Sequence, residues 1–534
     1  MTLRIFEAIR NKELFKSDLD QVVLILLTFP FVKKYFMFIS KKGELIFNSN
    51  SFLIKYFSDI INVLQIIPLF IGFYLLKSFQ WNAFELKKQT KTLWICFGLL
   101  VVYKFGLNNY NFYYDQLFLF ERILLLLLFV LSLFRIAFII PFSFLFLLTI
   151  SQYYYPLGGY SITDIYPLVN FFPLFTGYIF LKFLFNINDL NFWRSVIVFH
   201  ISYYFIPGIA KIEISPNFYE WILYNDLSNL FNSSLHMGWL NNFDDSIINL
   251  ISQSISYFNV PLNFLTVLIE ISSIYFLRRG KTFRIYLFIA SLFHFIIYLS
   301  SGIFFWKWII INLVMVVISI MGEKESFKKV FDFKPLYFII LVLISPIYLR
   351  PLSLAWFDTK LVEKYEIYLT DFNGNDFPVT GNFFKPYDKI FSQNRFSYLT
   401  KNKTLIGTYG SLGSDRLFYS DFNPVDLTNG NLNFKRNDFD NHILIETNNL
   451  EKLEGVNNYD LNRKNNFKKF LNTYLNNYNL KKGQQISITI PHIHQPNYNF
   501  PKRIKGFKVF YKKLYHQKSG LKHIETKELI YESL

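Results

Sequence analysis

Cysteine is almost missing from this 534-residue chain: the only one is Cys96, inside an apolar run. That excludes an intramolecular disulfide, a cysteine-based zinc site and CxxC redox chemistry. Charge is scarce as well. Asp, Glu, Lys and Arg make up 17% of the residues, against about 25% in an ordinary soluble domain. Acidic residues are the rarer sign, 38 against 55 basic, which leaves a formal charge of +17. Neither a phosphate-binding loop, an HExxH helix nor a nucleic-acid motif accompanies that charge. The basic residues therefore read as flanks of membrane spans and decoration of a polar tail, and no nucleic-acid partner is expected. Met1–Asp20 is of mixed charge without an apolar core, unlike a cleavable signal.

What the chain has in excess is hydrophobicity: 52% apolar residues, with 65 Phe and 36 Tyr, and nearly every long apolar run before residue 350. A span needs about 20 apolar residues, fewer when its ends are aromatic. On that measure there are about eleven candidates. They are Gln21–Ser40 (interrupted by Lys33 and Lys34), Ile61–Lys77, Thr92–Phe105, Asp115–Phe134, Ile136–Tyr153, Ile165–Phe185, Trp193–Gly208, Pro261–Leu277, Arg284–Ser300, Gly302–Met321 and Leu336–Leu349. The expected architecture is an all-α polytopic membrane helix bundle of about 9–11 spans over residues 1–350, set in a lipid bilayer.

Charge in the connecting loops gives this layout a direction. Cytoplasmic loops carry the excess of Lys and Arg. One alternate set is basic: Lys87, Lys88 and Lys91; Arg135; Arg278, Arg279, Lys281 and Arg284; Lys324, Lys328 and Lys329. In the other set, Gly106–Tyr114, Tyr154–Thr163 and Ile212–Val260 have no Lys or Arg, and the last carries Glu213, Glu220, Asp226, Asp244 and Asp245. Lys41, Lys42 and Lys55 in the first outer loop are the exception. The alternation implies a multi-pass protein of the cell (inner) membrane, with its N-terminus cytoplasmic and its C-terminal region outside.

After Arg350 the text turns polar and rich in Asn and Lys. Strand-like stretches appear at Tyr365–Leu369, His442–Glu446, Ile486–Ile490 and Phe507–Tyr511, with a turn at Asn373-Gly374. Asn466–Leu480 has helical periodicity, with Phe467, Phe470, Leu471, Tyr474 and Tyr478 on one stripe. Residues 351–534 read as a small α+β or mostly-β extramembrane C-terminal domain.

Ionisable side chains inside spans are costly and often mark function. Pro207 and Gly208, at the end of the seventh candidate, are expected to interrupt the helix, and Lys211 follows at the outer margin. An amine shielded from water there is a candidate base; the competing reading is a lysine snorkelling to the interface. Glu270 and His294 lie mid-span in successive candidates. A carboxylate meeting an imidazole at one depth would orient it, or the two would simply hold helices together. Weaker candidates are His200, and His236 with Trp221 and Trp239. His492 and His494 would share a strand face, a pattern commoner on surfaces than in metal sites. Gly410–Ser414 lacks the spacing of a nucleophile elbow. No metal is expected.

The segment Tyr204-Phe205-Ile206-Pro207-Gly208-Ile209-Ala210-Lys211-Ile212 resembles the Tyr-Phe-Ile-Ala-Gly-x-x-Lys-Leu segment of the vitamin K-dependent gamma-carboxylases. Their bacterial relatives, the horizontally transferred transmembrane (HTTM) domain proteins, share it loosely. Trp221 is similar to the family's tryptophan beyond the lysine. Ser291-Leu292-Phe293-His294, continuing to Gly302-Ile303-Phe304, resembles the Ser-x-Phe-His and Gly-x-Phe segments. Glu270 falls where the family places an acidic residue. The resemblance covers roughly residues 20–325.

The resemblance implies a lyase-type, quinol-dependent carboxylase or a related quinol/oxygen-dependent enzyme. Lys211 would be the base that deprotonates a vitamin K hydroquinone-like reduced quinone, and His294 and Glu270 further catalytic residues. Tyr204, His200 and Trp221 would bind the cofactor, and a Glu-containing peptide or protein would be the substrate on the outer face. The sequence departs from the family at Ala210, where animal enzymes have a second lysine, at Pro207, which replaces alanine, and in a shorter tail. The alternative expectation is a non-enzymatic membrane scaffold, or a lipid- or partner-binding protein, of the same family.

Overall fold

The computed structural model describes residues 17–40, 51–107, 119–154, 162–214, 217–236, 243–302, 305–322, 326–351, 361–379, 381–384, 461–480, 501–517 and 520–534, with single positions 15, 240, 355 and 358. The described residues before 350 are mostly helical. Its elements are α1 (Asp18–Ser40), α2 (Phe52–Phe57), α3 (Ile60–Leu76), α4 (Lys87–Val101, continued by a π turn Val102–Leu107), α5 (Leu119–Phe134), α6 (Ile139–Tyr154), α7 (Ile162–Phe185) and α8 (Asp189–Glu213). Then come α9 (Glu220–Tyr224), α10 (Leu227–His236), α11 (Asp245–Tyr257), α12 (Asn259–Ser272), α13 (Gly280–Ser301), α14 (Trp306–Met321), α15 (Pro335–Leu343) and α16 (Ser345–Tyr348).

Among the described residues, six helical stretches are long and apolar enough to cross a membrane: Asp18–Ser40, Lys87–Leu107, Pro167–Phe185, Asp189–Glu213, Asn259–Arg278 and Gly280–Ser301. Ile60–Leu76, Ile136–Ile150 and Trp306–Met321 are apolar but shorter. The expected boundaries shift where backbone chemistry requires it. Gly302 does not open a span; it closes α13 in the left-handed conformation at φ 71°, and its N–H returns to the Tyr298 carbonyl. Leu336–Leu349 is not one helix, because the chain turns at Ile344 between α15 and α16. The break expected at Pro207–Gly208 is absent: α8 runs unbroken for 25 residues. Proline removes one backbone hydrogen bond, whereas ending the helix in an apolar interior would strand several.

Burial separates the centre from the rim. In the apolar stretches of Pro167–Phe185 and Asp189–Glu213, 78% of the residues are buried, against 28% in those of Asn259–Arg278 and Gly280–Ser301. The α7 and α8 helices are therefore the axis, and α12 and α13 pack outside it with apolar surfaces turned outward. Aromatic packing fills the interior: Trp94 stacks on Phe175 at 5.6 Å and donates its indole N–H to Ser132 Oγ at 2.8 Å.

Beyond the bundle lies a four-stranded antiparallel sheet of β1 (Leu361–Thr370), β2 (Asp376–Val379), β3 (Gly506–Gln517) and β4 (Gly520–Ser533), in the order β2-β1-β3-β4. Ile367 pairs with Val509, which pairs with Ile530, so one buried row crosses three strands. Helix α17 (Leu461–Leu480) buries Phe467, Phe470, Leu471 and Tyr474. Lys468 pairs with Glu532 at 2.6 Å, and Tyr474 donates to the Phe383 carbonyl at 3.0 Å. This part is α+β. The expected strands Tyr365–Leu369 and Phe507–Tyr511 lie in β1 and β3. The β1–β2 turn falls at Asn373-Gly374, where Asp371 Oδ1 accepts the N–H groups of Asn373 and Asn375, both at 2.8 Å, and Gly374 supplies a φ of 87°. His442–Glu446, Ile486–Ile490, His492, His494 and Gly410–Ser414 lie outside the described residues.

At the sheet edge Lys508 donates to Asp376 at 2.6 Å. That hydrogen bond holds the Asp376 carboxyl below its ordinary range. The folded pKa is depressed, so the pair's contribution is present above the unfolded carboxylate pKa and lost as pH falls through the folded one. In the full-length protein, Lys508→Met should lower amide protection of Thr370–Val379 in hydrogen exchange at pH 7. The difference from wild type, compared at matched pH, should vanish as acid protonates Asp376.

Candidate functional site

The site begins with spacing along α8. At 100° per residue, His200, Tyr204 and Lys211 fall within about 40° of one another, so they form one stripe over three turns. All three are buried. On α12 the same spacing sets Asn259, Asn263 and Glu270 on one face, and Asn263 and Glu270 are buried. The two helices meet because Gly208 has no side chain. A Cβ there would lie 2.8 Å from Ile271 Cγ1, 2.9 Å from Glu270 Cβ and 3.2 Å from the Ile271 backbone nitrogen. Glycine at 208 therefore allows the close approach that brings Glu270 to Lys211.

Lys211 Nζ donates to both carboxylate oxygens of Glu270, at 2.9 Å to Oε1 and 2.8 Å to Oε2. The Trp221 ring covers the ammonium with its centroid 5.5 Å away. Trp221 is carried by the short helix α9, and α12 holds the segment after it through amides. Asn263 Nδ2 donates to the carbonyls of Asn225 at 2.6 Å and Ile222 at 3.1 Å, and Asn259 Nδ2 to the Asn225 carbonyl at 2.6 Å. The chain leading to the C-terminal sheet fastens to the same place: Asp358 N donates to Asn225 Oδ1 at 2.8 Å, and Asn229 Nδ2 to the Asp358 carbonyl at 3.3 Å.

A second polar group lies further along the stripe. His200 Nε2 meets Asn312 Oδ1 at 2.7 Å, Asn312 Nδ2 donates to the Tyr204 hydroxyl at 2.9 Å, and that hydroxyl lies 3.1 Å from His294 Nε2. The rings of Trp308 and Tyr286 close around it, 5.9 and 5.7 Å from Tyr204.

Glu270 and His294, which adjacent spans could bring together, do not pair. Glu270 gives both oxygens to Lys211, and His294 turns to Tyr204. The reason is axial: Tyr204 and Lys211 are two turns apart on α8, about 10 Å by helical rise, and each captures the nearer partner. Lys211, Glu270 and Trp221 thus form one cluster, and Tyr204, His200 and His294 form another. The side chain of His236 and the whole of Trp239 lie outside what the structure describes.

Sequence reasoning missed Asn312 and Tyr286, which bind the second cluster together. An amide inside the apolar stretch Trp308–Ile320 was the available signal for Asn312. It also missed a hub at the other end of α8. There Arg194 pairs with Asp18 at 2.6 Å and donates to the carbonyls of Lys329 at 3.0 Å and Val330 at 3.2 Å, while buried Asp189 accepts from Tyr178 at 2.6 Å and pairs with Lys182. Those groups satisfy one another and the backbone, and they read as structural. Among the described residues no three His, Cys, Asp or Glu side chains gather to hold a metal.

In comparisons with models of protein families, with curated proteins and with solved structures, nothing matches this chain.

Removing one partner of a buried ion pair leaves a lone charge and costs about 3–5 kcal/mol, whereas replacing both is far milder. Thermal unfolding in dodecyl maltoside should therefore show Lys211→Met and Glu270→Gln each strongly destabilised, with the double variant more stable than either. Gly208→Ala sets two effects in opposition. Alanine gains about 1 kcal/mol of helix propensity, while overpacking costs about 1–3 kcal/mol. One of the atoms met is backbone and cannot rotate away, so a net loss of stability is expected in the same assay.

Proposed function

We propose that this protein is a quinol-dependent membrane enzyme in which the Lys211–Glu270 pair takes a proton from a lipid-soluble hydroquinone. The observation that carries this reading is the bidentate contact of the two charges beside the Trp221 ring, at the end of an apolar helix. A carboxylate that already holds an ammonium is a base with its counter-charge in place. In the proposed step the quinol O–H breaks and its proton goes to Glu270. The electron pair stays on the quinolate oxygen, facing the Lys211 ammonium. In this reading the pair takes the place of the single base that the resemblance implies at Lys211, with the lysine stabilising the anion. A hydroquinone dissolves in the bilayer, so an apolar entry between helices suits it.

The resemblance to the vitamin K-dependent gamma-carboxylases and the bacterial HTTM proteins supplies the rest of the reaction. The quinolate takes up dioxygen, and the oxygenated species removes the γ-proton of a glutamyl residue. Carbon dioxide adds to the carbanion, and the quinone epoxide and water are released. In this reading the protein lies in the cell membrane with its N-terminus in the cytoplasm. The α+β region is outside, where a Glu-containing peptide arrives. The fastening of Asp358 to Asn225 and Asn229, beside the elements that position Trp221, supports a role for the outer region in presenting that substrate.

One observation favours a second reading, a non-enzymatic scaffold: the same ion pair ties α8 to α12 and would hold the bundle without any chemistry. One experiment separates the two. Purified protein is given reduced vitamin K, bicarbonate, dioxygen and a Glu-rich peptide, and epoxide and carboxylated peptide are measured. The enzyme reading expects product from wild type and a loss of at least about 100-fold, equivalent to about 2.7 kcal/mol of barrier, in Glu270→Gln. Wild type as inert as the variant over a range of quinols and peptides leaves the scaffold.

A further inference from the structure

The second cluster has a direction. His200 Nε2 lies 2.7 Å from Asn312 Oδ1, so the imidazole donates and the amide oxygen accepts. Asn312 Nδ2 then donates to the Tyr204 oxygen at 2.9 Å. The phenol proton has two acceptors within reach, Asn312 Oδ1 at 3.3 Å and His294 Nε2 at 3.1 Å. The amide oxygen is already engaged by His200, and the imidazole nitrogen is the closer acceptor, so the proton points to His294. An imidazole that accepts at Nε2 is protonated at Nδ1. His294 Nδ1 is buried and has no hydrogen-bond partner among the described residues. A buried N–H without an acceptor is costly. Around the ring stand Phe305 at 5.2 Å, Phe293 at 5.7 Å and Trp308 at 6.2 Å between centroids. Leu292, Phe295 and Ile296 beside it on α13 are exposed on the apolar outer surface.

We infer that His294 Nδ1–H is a binding site for a carbonyl oxygen of a lipid-soluble molecule reaching it from the bilayer along the exposed apolar face of α13. The chain His200, Asn312, Tyr204, His294 is a one-way relay of hydrogen bonds that fixes the imidazole as a donor toward that oxygen. The aromatic rings around it suit a flat quinonoid carbonyl, and an ester carbonyl offers the same acceptor. This site is separate from the proton-accepting pair and does not depend on its chemistry. With both in place, the interior is polarised, taking a proton at Lys211–Glu270 and donating a hydrogen bond at His294.

The test is nitrogen-15 NMR of full-length protein labelled at histidine, in dodecyl maltoside, which has no carbonyl. His200→Gln and His294→Gln spectra assign the two rings. The expected spectrum has His294 protonated at Nδ1 and His200 at Nε2. Duroquinone or methyl laurate should then move the His294 Nδ1 resonance, and durene, which lacks carbonyls, should not; the responding probe tells a quinone from an ester source. The same shift is expected in the Lys211→Met/Glu270→Gln double variant, which leaves no lone buried charge, so a failure of the proposed chemistry leaves this result standing. A His294 ring protonated at Nε2, no response to either carbonyl probe, or an equal response to durene would overturn the inference.

Discussion

Two opposite charges held 2.8 Å apart in an apolar interior constrain everything around them. Neither Lys211 nor Glu270 can be desolvated alone at a tolerable cost, so α8 and α12 must arrive together, in one register and at one distance. Gly208 sets the distance. The amides of Asn259 and Asn263 set the register, because they grip the chain that carries Trp221 over the ammonium. At the opposite end of α8, Arg194 fastens the helix to Asp18 and to the backbone at Lys329 and Val330. Arg194 and Lys211 are about 26 Å apart by helical rise, close to the thickness of a bilayer's hydrocarbon core, about 30 Å. The central helix is therefore pinned at both ends by charge, with its apolar length between.

Much of this was legible in the sequence, and the reasons differ by feature. Long apolar runs announced the bundle, because a helix with no polar face has few other surroundings. Asn373-Gly374 and the stripe of Phe467, Phe470 and Tyr474 announced the hairpin and the helix of the C-terminal region, because turn chemistry and periodicity are local. Lys211, Glu270 and His294 stood out because charged or titratable side chains in apolar text are rare. Which of them would touch was not legible. Pairing depends on the distance and the axial offset between helices, set by the missing Cβ at Gly208 and by the amides of Asn259 and Asn263, and both are tertiary properties. Pro207 misled for a related reason: its local tendency to end a helix is overridden where unsatisfied backbone has no water to turn to. Asn312 was overlooked because a lone amide looks neutral until His200 and Tyr204 are seen on either side of it.

The arrangement links position to chemistry. Lys211 and Glu270 lie at one end of the α8 stripe, and His294 of α13 meets that stripe at Tyr204, two turns away. The α+β region is joined at Asp358, which is fastened to Asn225 and Asn229. In the proposed reading a lipid-soluble quinol entering laterally and a peptide arriving from outside would meet near Lys211. The central claim is that the Lys211–Glu270 pair gains a proton when a quinol loses one. Infrared difference spectroscopy of the protein before and after addition of a reduced quinone tests it most directly, with Glu270→Gln as the assignment. The account predicts loss of the Glu270 carboxylate bands and appearance of a protonated carboxyl stretch that is absent from the variant. A carboxylate spectrum unchanged by a bound quinol would contradict it.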